Sequence, residues 1–262
     1  MLVSHYTIRA DKQNFSFLSV SYFNKFKIIT LYTLTDPNMH EVTHFCLPHL
    51  LPVLKATARW VHEAFEFFEI ILATRYPYSC YKQVFIDEAY VEVASYSTIA
   101  IMSTTLLASS AVIDQTYTTR RMATLAVAKQ FFGSFISAER WSDRWLLEGL
   151  SAYLTGLFIK KTFGNNEYRN YIWETNNEVC SYERQYGGII LDCSQPPAPP
   201  VVRGEEKQHR EQPKEVNAFA FDPTNLNTCS PEYLDVMTKK AHLAIRMLEN
   251  RIGGQLLQVL NR

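Results

Sequence analysis

The 262-residue sequence has no CxxC pair, and its five cysteines, Cys46, Cys80, Cys180, Cys193 and Cys229, are odd in number and widely spaced. That argues against a disulfide framework and leaves five free thiols in a reducing compartment. Net charge is also lacking: 26 basic residues balance 26 acidic ones, and no basic stripe of the kind phosphate recognition needs runs through the chain. Nucleic acid is therefore not the default partner. The N-terminus offers no basic stretch followed by an unbroken apolar run, because Arg9, Asp11 and Lys12 interrupt it, so no secretory signal is expected. The longest uncharged stretch, Val93 to Ile113, could span a bilayer by length, but eight of its residues are Ser or Thr, which favours a buried strand and loop. The strings GxGxxG, GxxxxGK[ST] and GxSxG are absent, so nucleotide-phosphate and serine-hydrolase templates have nothing to rest on, Ser109 and Ser110 included.

With 47% hydrophobic and 20% charged residues, the composition is that of a globular chain large enough to hold a core without disulfides or metal. From Pro48 to Ala73 the positions Leu51, Leu54, Ala58, Val61, Phe65, Phe68 and Leu72 recur at steps of three and four, predicting one amphipathic helix. YKQVFIDEAY and the Ser/Thr-rich stretch after it predict two or three strands. Arg120–Phe132 reads as a buried helix closed by Gly133, and the next helix starts near Ser142 or Asp143 and runs to Thr162. A further helix from Asn165 or Asn166 carries Tyr168, Ile172, Thr175, Val179, Tyr182 and Tyr186 as a core stripe until Gly187 and Gly188. Seven of eleven prolines and the run RGEEKQHREQPKE fall between Ser194 and Pro231, the composition of a mobile surface insertion. Ser230 and Pro231 then cap a last helix through PEYLDVMTKKAHLAIRMLENRIGG, followed by the amphipathic QLLQVL.

Two metal-site readings fail on their essential residues. His62 and Glu63 open HEAFE, but the second imidazole four residues on is replaced by Glu66. His40, His44 and His49 are loosely spaced around Pro48, with no carboxylate or thiol to complete a tetrahedral set.

The informative segment is LAVAKQFFGSFISAERWSDRWLLEGLSAYL, Leu125 to Leu154. It resembles the heart of the gluzincin aminopeptidases, whose pattern is HExxHxWFG followed, after eighteen residues, by a Glu in a WxxEG context. Gln130, Phe132 and Gly133 match the first part. Trp141, Asp143, Trp145, Glu148, Gly149, Ala152 and Tyr153 match the second, with eighteen residues between Lys129 and Glu148. The first His position holds Leu125, the general-base position Ala126 and the second His position Lys129, so Glu148 alone could ligate zinc. Catalytic zinc takes three protein ligands and an open position, and an ammonium among them repels the ion. The family's GAMEN motif falls on Val91, Glu92, Val93, Ala94 and Ser95, which puts an alanine where the amine-binding Glu belongs. The Tyr of its YxKG motif falls on Met237, with Lys239 at the Lys.

What the resemblance implies follows from this combination. The expected fold is α+β and thermolysin-like, a small mixed sheet with a mostly helical lobe, over residues 35–262, with an unassigned N-terminal extension at 1–34 and the mobile insertion at about 194–230. No residue is assigned a catalytic, cofactor-binding or metal-binding role, and no cofactor is expected. A retained scaffold with an emptied site is similar to the TBP-associated, aminopeptidase-like subunits of the general transcription factor TFIID. That implies a non-enzymatic scaffold in the nucleus, with other TFIID subunits as partners, core-promoter DNA reached through the complex, and no membrane. The alternatives are a zinc aminopeptidase with substituted ligands and a peptide-binding module that does not cleave. A gluzincin fold further implies that Lys129 and Glu148 face each other, either as a direct ion pair or as solvated neighbours on a groove floor.

Overall fold

The computed structural model describes residues 31–34, 41–58, 60–109, 111–192, 218–222, 224–253 and 256. Strands β1 (Leu31–Leu34), β2 (Glu41–Phe45), β3 (Cys80–Ile86), β4 (Val93–Tyr96) and β5 (Ile99–Ser103) form one mixed sheet in the order β1-β2-β3-β5-β4. The pairs β2–β3 and β3–β5 are parallel, while β1 and β4 run antiparallel to their neighbours at the two edges. Central β3 buries Tyr81, Gln83, Val84 and Phe85, the two-sided burial of a strand covered on both faces. This is the small mixed sheet that the resemblance implies. The stretch Val93–Ile113 holds β4, β5, a 3-10 turn at Thr104–Leu106 and the first residue of the next helix, and no helix among the described residues is long and apolar enough to cross a membrane.

Helices α1 (Leu51–Ala58) and α2 (Val61–Leu72) link β2 to β3. One helix was expected over 48–73, and the break has a packing cause. Leu54 and Ala58 of α1 pack with Cys46, Phe85 and Met102, whereas Phe65, Phe68 and Leu72 of α2 pack with Tyr81, Phe131 and Phe158. The two cores are distinct, and two short helices serve both.

The helical lobe follows with α3 (Ile113–Phe131), α4 (Arg144–Phe163), α5 (Asn165–Tyr186) and α6 (Pro231–Ile252). Helix α3 starts seven residues before the expected Arg120, with Asp114 in its first turn, where a carboxylate suits the helix dipole. Its first turns carry Asp114, Gln115, Thr116, Thr118 and Thr119 and so show no apolar period. It ends at Phe131; Phe132 leaves extended and Gly133 takes φ +128°, a conformation L side chains rarely adopt. Asp143 occupies the N-cap position of α4 without a side-chain cap bond, whereas Ser230 Oγ accepts the Tyr233 N–H at 3.2 Å and caps α6 as the Ser-Pro signal predicts. Of the α5 stripe, Tyr168, Thr175 and Val179 are buried and Tyr186 is exposed.

Glycines let α4 approach its neighbours closely. A Cβ at Gly149 would sit 2.8 Å from both Ala241 Cβ and Ile245 Cδ1 of α6, and one at Gly156 would sit 3.0 Å from the Tyr168 ring and 3.3 Å from His242 Nε2. His242 is fully buried there, 5.4 Å from the Tyr171 ring.

The expected segment boundaries fall partly outside the described residues, namely 1–30 and 193–217. At their edges the structure adds order. Leu31–Leu34, expected to stand apart, pair with Val42–Phe45 as β1. Ala218–Ala220, inside the expected insertion, form β7 against β6 (Gly188–Ile190). The turn behind β7 is closed by Asp222 and Thr228, whose Oγ1 donates to the Asp222 carbonyl at 2.6 Å.

Candidate functional site

Helix α3 presents Leu125, Ala126, Lys129 and Gln130 along its C-terminal half, and α4 lies beside it with Glu148 one turn from its start. The helices are tied where α3 ends, since Ser151 Oγ hydrogen-bonds the Phe132 carbonyl at 3.0 Å. Lys129 Nζ lies 2.8 Å from Glu148 Oε2, so of the two arrangements left open the direct ion pair forms. The side chains keep 24% and 18% of their exposure, so the pair is mostly covered yet still touched by water. Arg144, four residues before Glu148, reaches its other oxygen at 3.6 Å. Two cations thus share one carboxylate. The i, i+4 spacing of Arg144 and Glu148 was the signal for this second cation.

The wall is edge strand β4, and Gln130 holds it in place. The fully buried Gln130 donates from Nε2 to Ser95 Oγ (2.6 Å) and to the Tyr96 carbonyl (2.8 Å). Its Oε1 accepts the Thr98 N–H at 3.0 Å and the Tyr76 hydroxyl at 3.3 Å. The amide thereby uses its full hydrogen-bonding capacity. Ser95 Oγ also donates to the Ala126 carbonyl at 3.1 Å. Ala94 lies on this strand, and Val91 and Glu92 precede it.

The residues matched to YxKG are turned to other uses. Met237 is buried among Val179, Ile189, Tyr233 and Val236. Lys239 pairs with Glu178 and with Asp235. Burial would lower its pKa, but the hydrogen bonds to the two carboxylates outweigh that and hold it above the ordinary lysine range.

The weaker histidine templates do not assemble. His44 is buried on β2, His49 lies in the 3-10 turn Pro48–Leu50, and His62 and Glu63 lie on α2; His40 is outside the described residues, as is Ser110. Burial lowers the His44 pKa to about 4, with Gln83 opposing and His62 adding to the fall. No three His, Cys, Asp or Glu side chains among the described residues lie close enough together to hold a metal ion.

Helices that pack a WxxEG segment against a QxFG segment beside an edge strand define an aminopeptidase-type architecture. The model of the Peptidase family M1 domain matches residues 57–258, and the chain belongs to that family. More particularly, it is 55% identical over 228 residues to Transcription initiation factor TFIID subunit 2 of Drosophila melanogaster and 49% identical over 230 residues to the protein of that name in Gallus gallus. Each match covers 87% of this chain and 19% of the relative, so the chain spans about a fifth of the length of these relatives. It is also 26% identical over 148 residues to human Endoplasmic reticulum aminopeptidase 2, a match covering 55% of this chain and 14% of that protein.

The zinc ion that an M1 fold suggests does not fit these side chains. The donor set is one carboxylate already engaged by an ammonium at 2.8 Å and a guanidinium at 3.6 Å, with Leu125 and Ala126 supplying no donor atoms.

Proposed function

We propose that this chain is the aminopeptidase-like domain of a TFIID subunit and acts as a non-catalytic scaffold in RNA polymerase II transcription initiation. The observation that carries the reading is the Lys129–Glu148 pair, an ammonium where a zinc aminopeptidase would place a ligand, in a chain 55% identical to a TFIID subunit 2. On this reading the protein works in the nucleus, its partners are other TFIID subunits, and core-promoter DNA is reached through the assembled complex rather than gripped by a chain whose charges cancel. The folded unit runs from near residue 31 to the end of α6, with the proline-rich run as an insertion in it.

Metal analysis of the purified protein, together with hydrolysis of a panel of aminoacyl fluorogenic substrates, tests the non-catalytic half. The expected result is substoichiometric zinc and no turnover; equimolar zinc with turnover would overturn it. Co-purification with tagged TFIID subunits tests the other half, and loss of association in a folded chain would refute it.

A further inference from the structure

The loop joining β3 to β4, residues 87–92, is bonded only at its two ends. Thr104 Oγ1 donates to Asp87 Oδ1 at 3.1 Å, and the Ser103 N–H donates to the Glu92 carbonyl at 3.0 Å. Between these ties, residues 88–91 make no hydrogen bond among the described residues, and Glu88 sits at φ +51° in the turn that follows β3. Tyr90 is 88% exposed and makes no hydrogen bond or ring contact with another described residue. Asp87 and Glu88 precede it by three and two residues and Glu92 follows by two, all of them exposed. No Lys or Arg lies in the sequence between Lys82 and Arg120, so the three carboxylates have no basic neighbour along this stretch of chain.

We propose that Tyr90 is a phosphorylation site for a tyrosine kinase with a basic substrate groove, and that phosphate there loosens the entry to β4. In the transfer, the γ-phosphorus of ATP bonds to Tyr90 Oη as its bond to the β–γ bridging oxygen breaks. ADP leaves with that electron pair, and the phenolic proton passes to a carboxylate of the kinase. Charge complementarity selects the enzyme, because Asp87, Glu88 and Glu92 attract a cationic groove. Access follows from the missing hydrogen bonds: residues 88–91 can be drawn into an extended form without breaking any. Other exposed tyrosines lack this combination. Tyr96 is 54% exposed and has no acid in the three residues before it. Tyr186 is 47% exposed, its hydroxyl accepts the Gln185 amide at 3.0 Å, and its preceding acid, Glu183, is engaged by Lys240. The phosphate adds about −1.5 to −2 charges at pH 7 beside three carboxylates, an arrangement that repels itself. Gln130 holds Ser95, Tyr96 and Thr98, so the loosening should stop before Ser95. The inference goes beyond the scaffold reading and does not depend on it.

The test treats the full chain with Mg²⁺, ATP and a purified tyrosine kinase that phosphorylates poly(Glu,Tyr), and follows each tyrosine by mass spectrometry. Tyr90 is expected to gain phosphate ahead of Tyr96 and Tyr186. Tyr90→Phe should abolish that phosphopeptide and, at a position without contacts, melt like the parent chain. Glu88→Lys with Glu92→Lys, both exposed, should slow labelling of Tyr90 about tenfold, and the difference should shrink in high salt. In the phosphorylated chain, hydrogen exchange should quicken over 87–93 and stay unchanged over 95–98. No phosphate at Tyr90, earlier labelling of Tyr96 or Tyr186, an unaltered rate in the charge-reversed variant, or unaltered exchange over 87–93 would overturn the proposal.

Discussion

Lys129 is the residue on which the reading of the site turns, and its stability effect can be bounded. The pair is neither dry, where breaking it would cost about 3 to 5 kcal/mol, nor exposed, where the figure is about 0 to 1 kcal/mol. With side chains 24% and 18% exposed and Arg144 close by, Lys129→Met should cost about 1 to 3 kcal/mol in urea denaturation. Adding Glu148→Gln should restore most of it, since no uncompensated carboxylate then remains. Two histidines set a second expectation. Burial lowers His242 to a pKa of about 4, with Arg246 adding to the fall, and His44 to a similar value. Their folded pKa values lie below the unfolded one, so their contribution is complete above about pH 6.5 and is lost as pH falls toward 4. Each histidine steepens the loss by up to about 1.4 kcal/mol per pH unit in that window. His242→Gln should therefore flatten the dependence of unfolding free energy on pH between 4.5 and 6.5; an unchanged slope would contradict the buried neutral imidazole. The resemblance to the gluzincin aminopeptidases implied that Lys129 and Glu148 face each other and left open whether they pair directly or stand as solvated neighbours. It could not show that His242 is interior, because HLAIR has the same polarity whether α6 turns that face to water or to Tyr171.

At the scale of elements, the helix contacts are set by what α4 omits. A Cβ at Gly149 would meet Ala241 backbone carbon at 3.0 Å as well as two side-chain carbons at 2.8 Å, and backbone cannot move aside cheaply. Gly149→Ala should lose about 1 to 3 kcal/mol by overpacking. Gly188, with nothing within 4 Å of an added Cβ, should accept Ala within about 0.5 kcal/mol. Thermal melts of both variants make the comparison. Gln130→Leu tests the wall: it strips partners from Ser95, Tyr96 and Thr98, so hydrogen exchange should rise in β4 while α6 stays protected. Helix periodicity made α4, α5 and α6 legible to within a residue or two of their ends. It failed at α1 and α2, where a continuous period hid two helices facing different cores, and at the start of α3, where Asp, Gln and Thr side chains left no apolar face to read.

For the whole molecule, the sheet reaches further toward the N-terminus than the resemblance did. Strand β1 covers the edge of β2, on which Val42, Thr43 and His44 are buried. A chain beginning at Glu41 would bare that edge and should self-associate in size-exclusion chromatography, whereas one beginning just before Leu31 should remain dispersed. Pairing of this kind is a long-range property, and the Phe-, Tyr- and Lys-rich composition before Glu41 carried no period to announce it. The α+β class, by contrast, was implied by the resemblance, and the order of strand-like and helix-like segments agrees with it. The four hydrogen bonds of Gln130 have a practical meaning as well. They fix wall to helix from behind, independently of whatever lies on the floor, so the floor is a socket that can be refitted. Leu125→His with Lys129→His would set two imidazoles one helical turn apart opposite Glu148, and calorimetric titration with Zn²⁺ would show whether the frame alone suffices to rebuild a metal site.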